Sequence, residues 1–149
     1  MNLEIRQAEP SDGRWIVDLH RAMSRPLREG MDCSEYWLAL SDERRVGCAG
    51  VSLLPDGGYL YGLSVLKSYR SQGIGAALTE ARVERVRAHG GSFAFALAMF
   101  WNVRFFRRLG FDTFPRKDLP ETVLRLSDLS NPLYRRSAVL LKRLDGEST

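Results

Sequence analysis

The most distinctive stretch of the sequence is a glycine-containing hexapeptide at 70–75, RSQGIG. It lies between a predicted strand that ends near Leu66 and a predicted helix that begins near Gly75. Glycines let the backbone turn tightly and approach a ligand without a Cβ in the way, and the amides at a helix N-terminus attract anions. Arg70 adds a fixed cation. The hexapeptide therefore predicts a phosphate-binding turn.

Two common phosphate-binding motifs do not fit these residues. A P-loop requires a lysine after its last glycine, whereas Ala76 follows Gly75 here. The dinucleotide-binding fingerprint requires a third glycine three residues further on, and Leu78 occupies that position. The remaining alternative to a phosphate site is a turn that only begins a helix.

Three motifs, in the same order along the chain, resemble those of the GNAT family of N-acetyltransferases. The hexapeptide matches the family's pyrophosphate-binding signature, Q/R-x-x-G-x-G/A. Upstream of it, 63–65 (LSV) resembles the L-x-V of the family's fourth strand. Downstream, 102–111 (NVRFFRRLGF) resembles the segment that begins with Asn and ends in Gly-Phe. The resemblance is specific because the three motifs occur together.

The resemblance implies an α+β (mixed α/β) fold with acetyl-CoA as cosubstrate and no metal. Its central sheet would be mixed and mostly antiparallel, with six to seven strands flanked by about four helices. The sheet would be splayed between its fourth and fifth strands, and the cofactor would lie in the splay. The cofactor-binding residues implied in this way are Leu63, Val65, Arg70, Gln72, Gly73, Ile74, Gly75, Ala76, Asn102 and Phe106.

The same resemblance assigns a role to each part of the site. The backbone amides of 72–76 would hold the pyrophosphate, and the backbones of Leu63 and Val65 would pair with the pantetheine arm. The Val65 amide would also polarise the thioester carbonyl, as a donor that is oriented before charge builds on that oxygen. Asn102 would hydrogen-bond the same arm, although capping the following helix is an equally good interpretation.

Two positions depart from the family pattern. Phe106 stands where many members have a tyrosine that protonates the leaving thiolate, and Tyr59 stands where many have a glutamate that acts as base. The candidate catalytic residues are therefore the Val65 amide, Tyr59 and Tyr61, the two tyrosines being predicted to share one strand face. Three mechanisms stay open: loss of the amine proton to solvent, a base from elsewhere in the chain, and unassisted departure of the thiolate.

The C-terminal part of the chain resembles the acetyltransferase domain of N-acetylglutamate synthases. The similarity covers Leu119-Pro120 and the segment 134–140 (YRRSAVL). The loop 25–31 (RPLREGM) resembles the segment between the first two helices of those enzymes.

This second resemblance implies a substrate site for a carboxylate-bearing amine. Its candidate residues are Arg28, Arg135 and Ser137. On a predicted strand, Arg135 and Ser137 would point to one face, where a guanidinium and a hydroxyl could meet one carboxylate. A solvated strand edge is the alternative. The sequence 32–35 (DCSE) stands where the synthases have further basic residues, so the sequence does not single out glutamate.

The hydrophobic pattern predicts alternating strands and helices with no repeat and no linker. We expect residues 1–149 to form a single N-acetyltransferase domain. Residues 118–132 are predicted to be irregular. Strands are predicted at 2–8, 36–40, 46–54, 59–66, 93–100, 111–114 and 137–144, and helices at 11–23, 75–89 and 102–109.

Composition limits the classes of protein to consider. The chain has 149 residues, of which 44% are hydrophobic, and a formal net charge of +4, which is typical of one globular domain with a preference for anionic ligands. Cys33 and Cys48 lack metal-ligand spacing, which favours reduced thiols and a cytoplasmic location. No apolar run approaches the ~20 residues of a membrane span, so no membrane partner is expected.

The sequence therefore predicts an acetyl-CoA-dependent N-acetyltransferase that acts on the primary amine of a small molecule, such as an amino acid or a similar carboxylate-bearing amine. Transfer would be direct, in a ternary complex. The alternative is a CoA-binding regulatory module without turnover, suggested by the two missing side chains. Nucleic-acid binding is not expected, because the arginines are not interleaved with an aromatic platform. A homodimer is left open.

Overall fold

The computed structural model describes residues 2–23 and 35–144. Its strands form one seven-stranded sheet in the order β1-β2-β3-β4-β5-β7-β6. The strands are β1 Leu3–Gln7, β2 Tyr36–Ser41, β3 Arg44–Leu53, β4 Gly58–Val65, β5 Phe93–Ala98, β6 Asp112–Phe114 and β7 Ala138–Arg143. The helices are α1 Gly13–Ala22, α2 Ile74–Ala88, α3 Phe100–Arg108 and the one-turn helices α4 Glu121–Leu124 and α5 Ser127–Ser130. The predicted α+β fold with a mixed, mostly antiparallel sheet is confirmed.

The chain divides into two compact units. The first unit consists of Met1–Val51 and Tyr61–Arg82, and the second unit of Ser52–Leu60 and Val83–Thr149. Strands β3 and β4 and helix α2 each contribute residues to both. Neither unit is a continuous stretch of sequence, which is why composition along the chain gives no sign of the division.

In the first unit, the core lies between the strands and the start of α2. Strands β1 and β2 pair antiparallel, and so do β2 and β3, with a bulge between Ala39 and Leu40. The partly buried side chains of Leu63 and Val65 on β4 pack against this core. Its fully buried members are Ala39, Val46, Ala49, Ile74 and Leu78. Because Ile74 is the first residue of α2, burial of its side chain fixes the start of that helix.

In the second unit, β5 is the central buried strand. It pairs antiparallel with β7 from Phe93↔Arg143 to Ala98↔Ala138. The sequence predicted that this strand would continue to residue 100, which is wrong. It ends at Ala98 because β7 begins at Ala138 and offers no partner beyond that pair. Phe100 instead begins α3, with 83% of its surface exposed.

The pairing of β4 with β5 is short. The two strands are parallel and pair from Gly58↔Ala94 to Leu60↔Ala96, yet β4 continues to Val65. This is the interruption between the fourth and fifth strands that the sequence predicted. Within the described ranges, the paired part of β4 therefore ends at Leu60, five residues before the strand itself ends.

The segment predicted to be irregular contains short helical turns. Besides α4 and α5, it includes 3-10 turns at Arg116–Asp118 and Pro132–Tyr134. Single turns are too short to show an amphipathic period, which explains why the sequence did not reveal them. Over residues 2–23 and 35–144, no helix has the length and apolar character needed to cross a membrane.

A buried carboxylate joins the start of α1 to the sheet. Asp12 is fully buried and accepts hydrogen bonds from Arg6 (2.9 Å), from Arg45 (2.8 Å) and from the Glu9 amide (2.8 Å). Burial alone would raise the pKa of Asp12, but these hydrogen bonds outweigh it and lower the pKa from 3.8 to about 2. The ionised form therefore stabilises the fold.

We expect Asp12→Asn to lower the free energy of unfolding by about 2 kcal/mol at pH 7, the amount that corresponds to the lowered pKa of Asp12. Because the folded pKa lies below the unfolded one, this stabilisation is complete above about pH 4 and is lost as the pH falls towards 2. Urea unfolding at pH 7 and pH 3 measures it. Asp18→Asn, which removes an exposed pair with Arg14, is the control and should change little. A pH-independent loss in the Asp12 variant would contradict this account.

Candidate functional site

The predicted phosphate-binding turn joins a 3-10 turn at Lys67–Tyr69 to α2. Ser71 (φ 65°) and Gly73 (φ 82°) both adopt left-handed backbone conformations, and residues 70–73 are exposed. No described atom lies within 4 Å of the position that a Cβ on Gly73 would occupy. The turn therefore leaves open space directly beside its backbone.

The turn and the first residues of α2 present a run of free backbone donors. The first amide with an acceptor is that of Ala77, which donates to the Gly73 carbonyl (3.0 Å). Within the described residues, the amides of 71–76 have no hydrogen-bond acceptor. These donors lie at the positive end of the 15-residue helix α2. The arrangement fits a pyrophosphate group, because it combines open space, several donors and positive potential.

Side chains hold this turn against the end of β4. The Arg70 Nε donates to the Val65 carbonyl (3.0 Å), so the exposed arginine connects the turn to the strand. Gln72 donates more weakly to the Ser68 carbonyl (3.4 Å). At the start of α2, the Thr79 hydroxyl donates to the Gly75 carbonyl (2.8 Å).

The free edge of β4 carries the second set of backbone donors. Leu66 donates its amide to the Val46 carbonyl of β3 (2.8 Å). Successive residues of a strand direct their backbone groups to opposite edges, so the amides of Val65 and Leu63 lie on the edge away from β3. Since pairing with β5 has already ended, the Val65 amide is available as an oxyanion-type donor.

A buried arginine fixes β4 just beyond the end of its pairing with β5. Arg82 on α2 is 1% exposed and donates through Nη1 to the carbonyls of Gly50 (3.0 Å) and Tyr61 (3.3 Å) and through Nη2 to Thr79 (3.0 Å). Burial lowers the pKa of its guanidinium to about 9, so the side chain is cationic at pH 7. The next residue of β4, Gly62, has φ 65°, a conformation that favours glycine.

Each candidate tyrosine of β4 donates its hydroxyl to a carboxylate that the sequence analysis did not find. In the first unit, Tyr61 donates to Glu35 Oε2 (2.6 Å), and its ring lies edge-on to Tyr36. In the second unit, Tyr59 donates to Asp128 Oδ2 (2.6 Å) and stacks on Phe95. Both hydroxyls thus have strong acceptors from distant parts of the sequence.

The two candidate residues of α3 are placed differently from each other. Asn102 is exposed and is the third residue of the helix, which begins at Phe100 after Met99 as N-cap. The alternative that Asn102 caps this helix is therefore wrong. Phe106 is buried against Phe111, with ring centroids 5.4 Å apart. The side chain at position 106 packs among aromatic rings.

The expected geometry of Arg135 and Ser137 is wrong. Strand β7 begins at Ala138, and the two residues lie in the turn before it, so they do not share a strand face. Arg135 is exposed, whereas Ser137 is buried and donates its hydroxyl to the Tyr134 carbonyl (2.6 Å). The strand prediction failed because the polar residues before Ala138 form a tight turn.

The guanidinium that contacts Ser137 belongs to Arg116. Its Nη2 donates to the Ser137 carbonyl (2.9 Å), the Ser137 hydroxyl (3.2 Å) and the Tyr134 carbonyl (3.2 Å). Sequence analysis missed Arg116, since no local pattern connects it to residues about twenty positions away. Its hydrogen bonds fix the turn that presents Arg135.

Similarity to known proteins agrees with this arrangement. The acetyltransferase (GNAT) family model matches residues 3–111, which include the turn at 70–75 and the whole of α3. The chain belongs to the GNAT family. No curated protein sequence matches this GNAT chain.

Solved structures of acetyltransferases resemble this GNAT protein over nearly its whole length. N-acetylglutamate synthase from Neisseria gonorrhoeae, complexed with coenzyme A and N-acetyl-glutamate, matches 97% of this chain with a TM-score of 0.83 and 28% identity, over 35% of its own length. The same enzyme with coenzyme A and L-arginine matches 96% of this chain (TM-score 0.80, 28% identity, 33% of its length). This chain thus spans about a third of that synthase.

A protein of similar length shares the fold. Rv2747 from Mycobacterium tuberculosis, in a complex that includes CoA, has a TM-score of 0.79 and 21% identity over 95% of this chain and 99% of its own. The GNAT fold therefore extends through the C-terminal strands that the family model does not cover.

The structure of this GNAT chain places the predicted site residues as follows. The first unit contains Leu63, Val65, Arg70, Gln72, Gly73, Ile74, Gly75, Ala76 and Tyr61, and the second unit contains Tyr59, Asn102, Phe106, Arg135 and Ser137. Of the cofactor-binding set, Ile74 offers only its amide, because its side chain is in the core. Arg28 and Cys33 lie outside the described residues. Among those described, no group of three or more His, Cys, Asp or Glu could hold a metal ion.

Proposed function

We propose that this protein transfers an acetyl group from acetyl-CoA to the primary amine of a small molecule, by direct transfer in a ternary complex. The observation that carries the proposal is the run of unpaired amides at 71–76 beside the open space at Gly73. We also propose that residues 1–149 form a single acetyltransferase domain, since the family match takes residues from both units.

Within the first unit, the proposed roles follow from the free donors. The amides of 71–76, assisted by Arg70, bind the pyrophosphate, and the free edge of β4 at Leu63 and Val65 pairs with the pantetheine arm. Acetyl-CoA supplies the activated acetyl group. The Val65 amide donates to the carbonyl oxygen on which negative charge develops. Roles for Asn102 and Phe106 in cofactor binding stay predictions from the family resemblance.

We propose an amino acid or a similar carboxylate-bearing amine as the acceptor. Two observations support this class of substrate. Besides coenzyme A, the complexes of the 28% identical synthase contain N-acetyl-glutamate in one case and L-arginine in the other. Arg135 is exposed in a turn that Arg116 fixes, so its guanidinium is available to a carboxylate.

A CoA-binding regulatory module without turnover is the second candidate function. It is favoured by Phe106, which offers no proton donor and is buried against other aromatic rings. The two candidates differ in whether bound acetyl-CoA is consumed.

The test combines calorimetric titration of acetyl-CoA into the wild-type protein with measurement of free thiol release. The acceptors are L-glutamate, L-arginine and their decarboxylated counterparts, 4-aminobutyrate and agmatine. We expect saturable binding, and thiol release that is faster with L-arginine, which carries a carboxylate, than with agmatine, which carries none. Binding without thiol release from any acceptor would support the regulatory module. Absence of binding would contradict both candidates.

A further inference from the structure

We propose that Tyr61 and Glu35 form a proton relay in which the Tyr61 oxygen accepts the proton of the substrate amine while Glu35 takes up the proton of Tyr61. The proposal rests on the acetyltransferase function proposed above. The relay would act as the base, a role for which many family members have a glutamate at the position of Tyr59. The family pattern assigns this role to neither Tyr61 nor Glu35.

The hydrogen bond between the two side chains has the geometry that a relay needs. The Tyr61 hydroxyl lies 2.6 Å from Glu35 Oε2, the length of a charge-assisted bond between a hydroxyl and a carboxylate. Glu35 is half-buried and directly precedes β2, whereas Tyr61 is 9% exposed. The proton of Tyr61 thus already points at its acceptor.

The position of the Tyr61 ring is closely constrained. It lies edge-on to Tyr36 at a centroid distance of 5.7 Å and covers the face of Gly50, where an added Cβ would overlap Tyr61 Cε2. These contacts hold the hydroxyl on Glu35. The same stretch of β4, beyond the end of its pairing with β5, carries the Val65 amide that we propose as the donor to the acetyl oxygen.

A buried cation lies next to Tyr61. Arg82 donates to the carbonyl of Tyr61 itself, and no carboxylate among residues 2–23 and 35–144 accepts from its guanidinium. Burial lowers the pKa of Arg82, and the nearby Cys48, Tyr61 and Tyr36 oppose that change. In the part of the chain that the structure describes, further titratable groups around this pair are His20 on α1, Tyr36 on β2 and Cys48 on β3.

The proposed step balances without a further reactant. Tyr61 Oη first takes one proton from the bound ammonium while the Tyr61 proton moves to Glu35 Oε2. The nitrogen of the resulting amine then bonds to the acetyl carbon and releases its second proton to solvent. The carbon–sulfur bond breaks with its electron pair on sulfur, so that CoA leaves as the thiolate. Glu35 then returns its proton to solvent, from which the thiolate can be protonated. No acid is needed at Phe106.

The test is the pH dependence of kcat/KM between pH 6 and 8.5, with the best of the four acceptors. In wild type we expect little variation with pH. In Tyr61→Phe and Glu35→Gln, only the free amine reacts, so the rate should rise about tenfold per pH unit. The variants should be ~300-fold slower than wild type at pH 6 and approach it at pH 8.5. A purely structural defect would not disappear as the pH rises.

Three variants serve as comparisons. Glu84→Gln removes an exposed carboxylate on α2 and should behave as wild type. Tyr59→Phe and Asp128→Asn break the equivalent pair in the second unit and should not produce the rising pH profile. If kcat/KM rises with pH in the Tyr59 and Asp128 variants but not in the Tyr61 and Glu35 variants, the relay is wrongly assigned. Profiles parallel to wild type in the Tyr61 and Glu35 variants would also overturn it.

A measurement on the cofactor-free protein tests the pair independently of activity. We expect Glu35→Gln to move the ¹³Cζ resonance of Tyr61 upfield, because the phenol loses its carboxylate acceptor. An unmoved resonance would overturn the relay. Failure of the proposed function is distinguishable, since it would appear in wild type as absence of acetyl-CoA binding or of thiol release.

Discussion

Gly73→Val is expected to abolish acetyl-CoA binding while the protein stays folded. The valine side chain would fill the open space beside the amides of 71–76, where we propose that the pyrophosphate binds. Hydrogen bonds to a charged group contribute ~1.5–3 kcal/mol each, so loss of two or more corresponds to at least a ~100-fold increase in Kd. Isothermal titration calorimetry measures the affinity, and circular dichroism confirms the fold.

The chain offers a matched control for the backbone strain in this variant. Gly90, after the C-terminal end of α2, also has a positive φ (90°) and open space around its Cβ position. Gly90→Val therefore carries a comparable conformational cost without a proposed ligand nearby. We expect similar thermal stabilities for the two variants and wild-type affinity in the Gly90 variant alone. Equal affinities in both would show that the turn at 70–75 does not bind the cofactor.

Arg135→Ala is expected to raise KM for an amino-acid acceptor by ~10–100-fold and to change KM for its decarboxylated counterpart much less. The reason is that the exposed guanidinium would lose a charge-assisted contact with the carboxylate that only the amino acid carries. Steady-state kinetics with L-arginine and agmatine, which differ only in that carboxylate, provide the comparison.

Arg136→Ala is the control for this prediction. Arg136 is exposed in the same turn, so its removal changes the net charge equally. We expect a smaller effect on KM for the amino acid than in the Arg135 variant. Equal effects of Arg135→Ala on L-arginine and agmatine would show that the arginine has no role in carboxylate recognition.

Local sequence signals predicted the elements and the phosphate turn well. Alternation and helical periodicity placed β1, α2 and β7 within two residues of their ends, because burial of one face controls both the pattern and the fold. The turn at 70–75 was predictable because glycine has a specific backbone function there. The start of α3 was not predictable, because the apolar run that includes Phe100 fits a strand pattern. The strand ends only because β7 offers no partner beyond Ala138.

The groups around the two β4 tyrosines could not be predicted from local patterns. Glu35 accepts a hydrogen bond from Tyr61, 26 residues away in the sequence, and Asp128 accepts one from Tyr59, 69 residues away. Asp12 likewise pairs with an arginine 33 residues further on. Such pairs depend on the register of the sheet and on the path of the chain. Neither can be predicted from the type of a single residue in the pair. The family resemblance suggests a base only on the fourth strand, so it does not point to either carboxylate.

The early end of the β4–β5 ladder has a consequence for handling the protein. A stretch of strand with unpaired amides and carbonyls can accept another extended chain, as an edge strand does, and is therefore a site of potential aggregation. In this sheet such amides are those of Leu63 and Val65, on an interior strand whose pairing with β5 ends at Leu60. Any ligand that occupies the free edge would protect it, so saturation with CoA should improve the solubility of concentrated preparations and favour crystals of the complex.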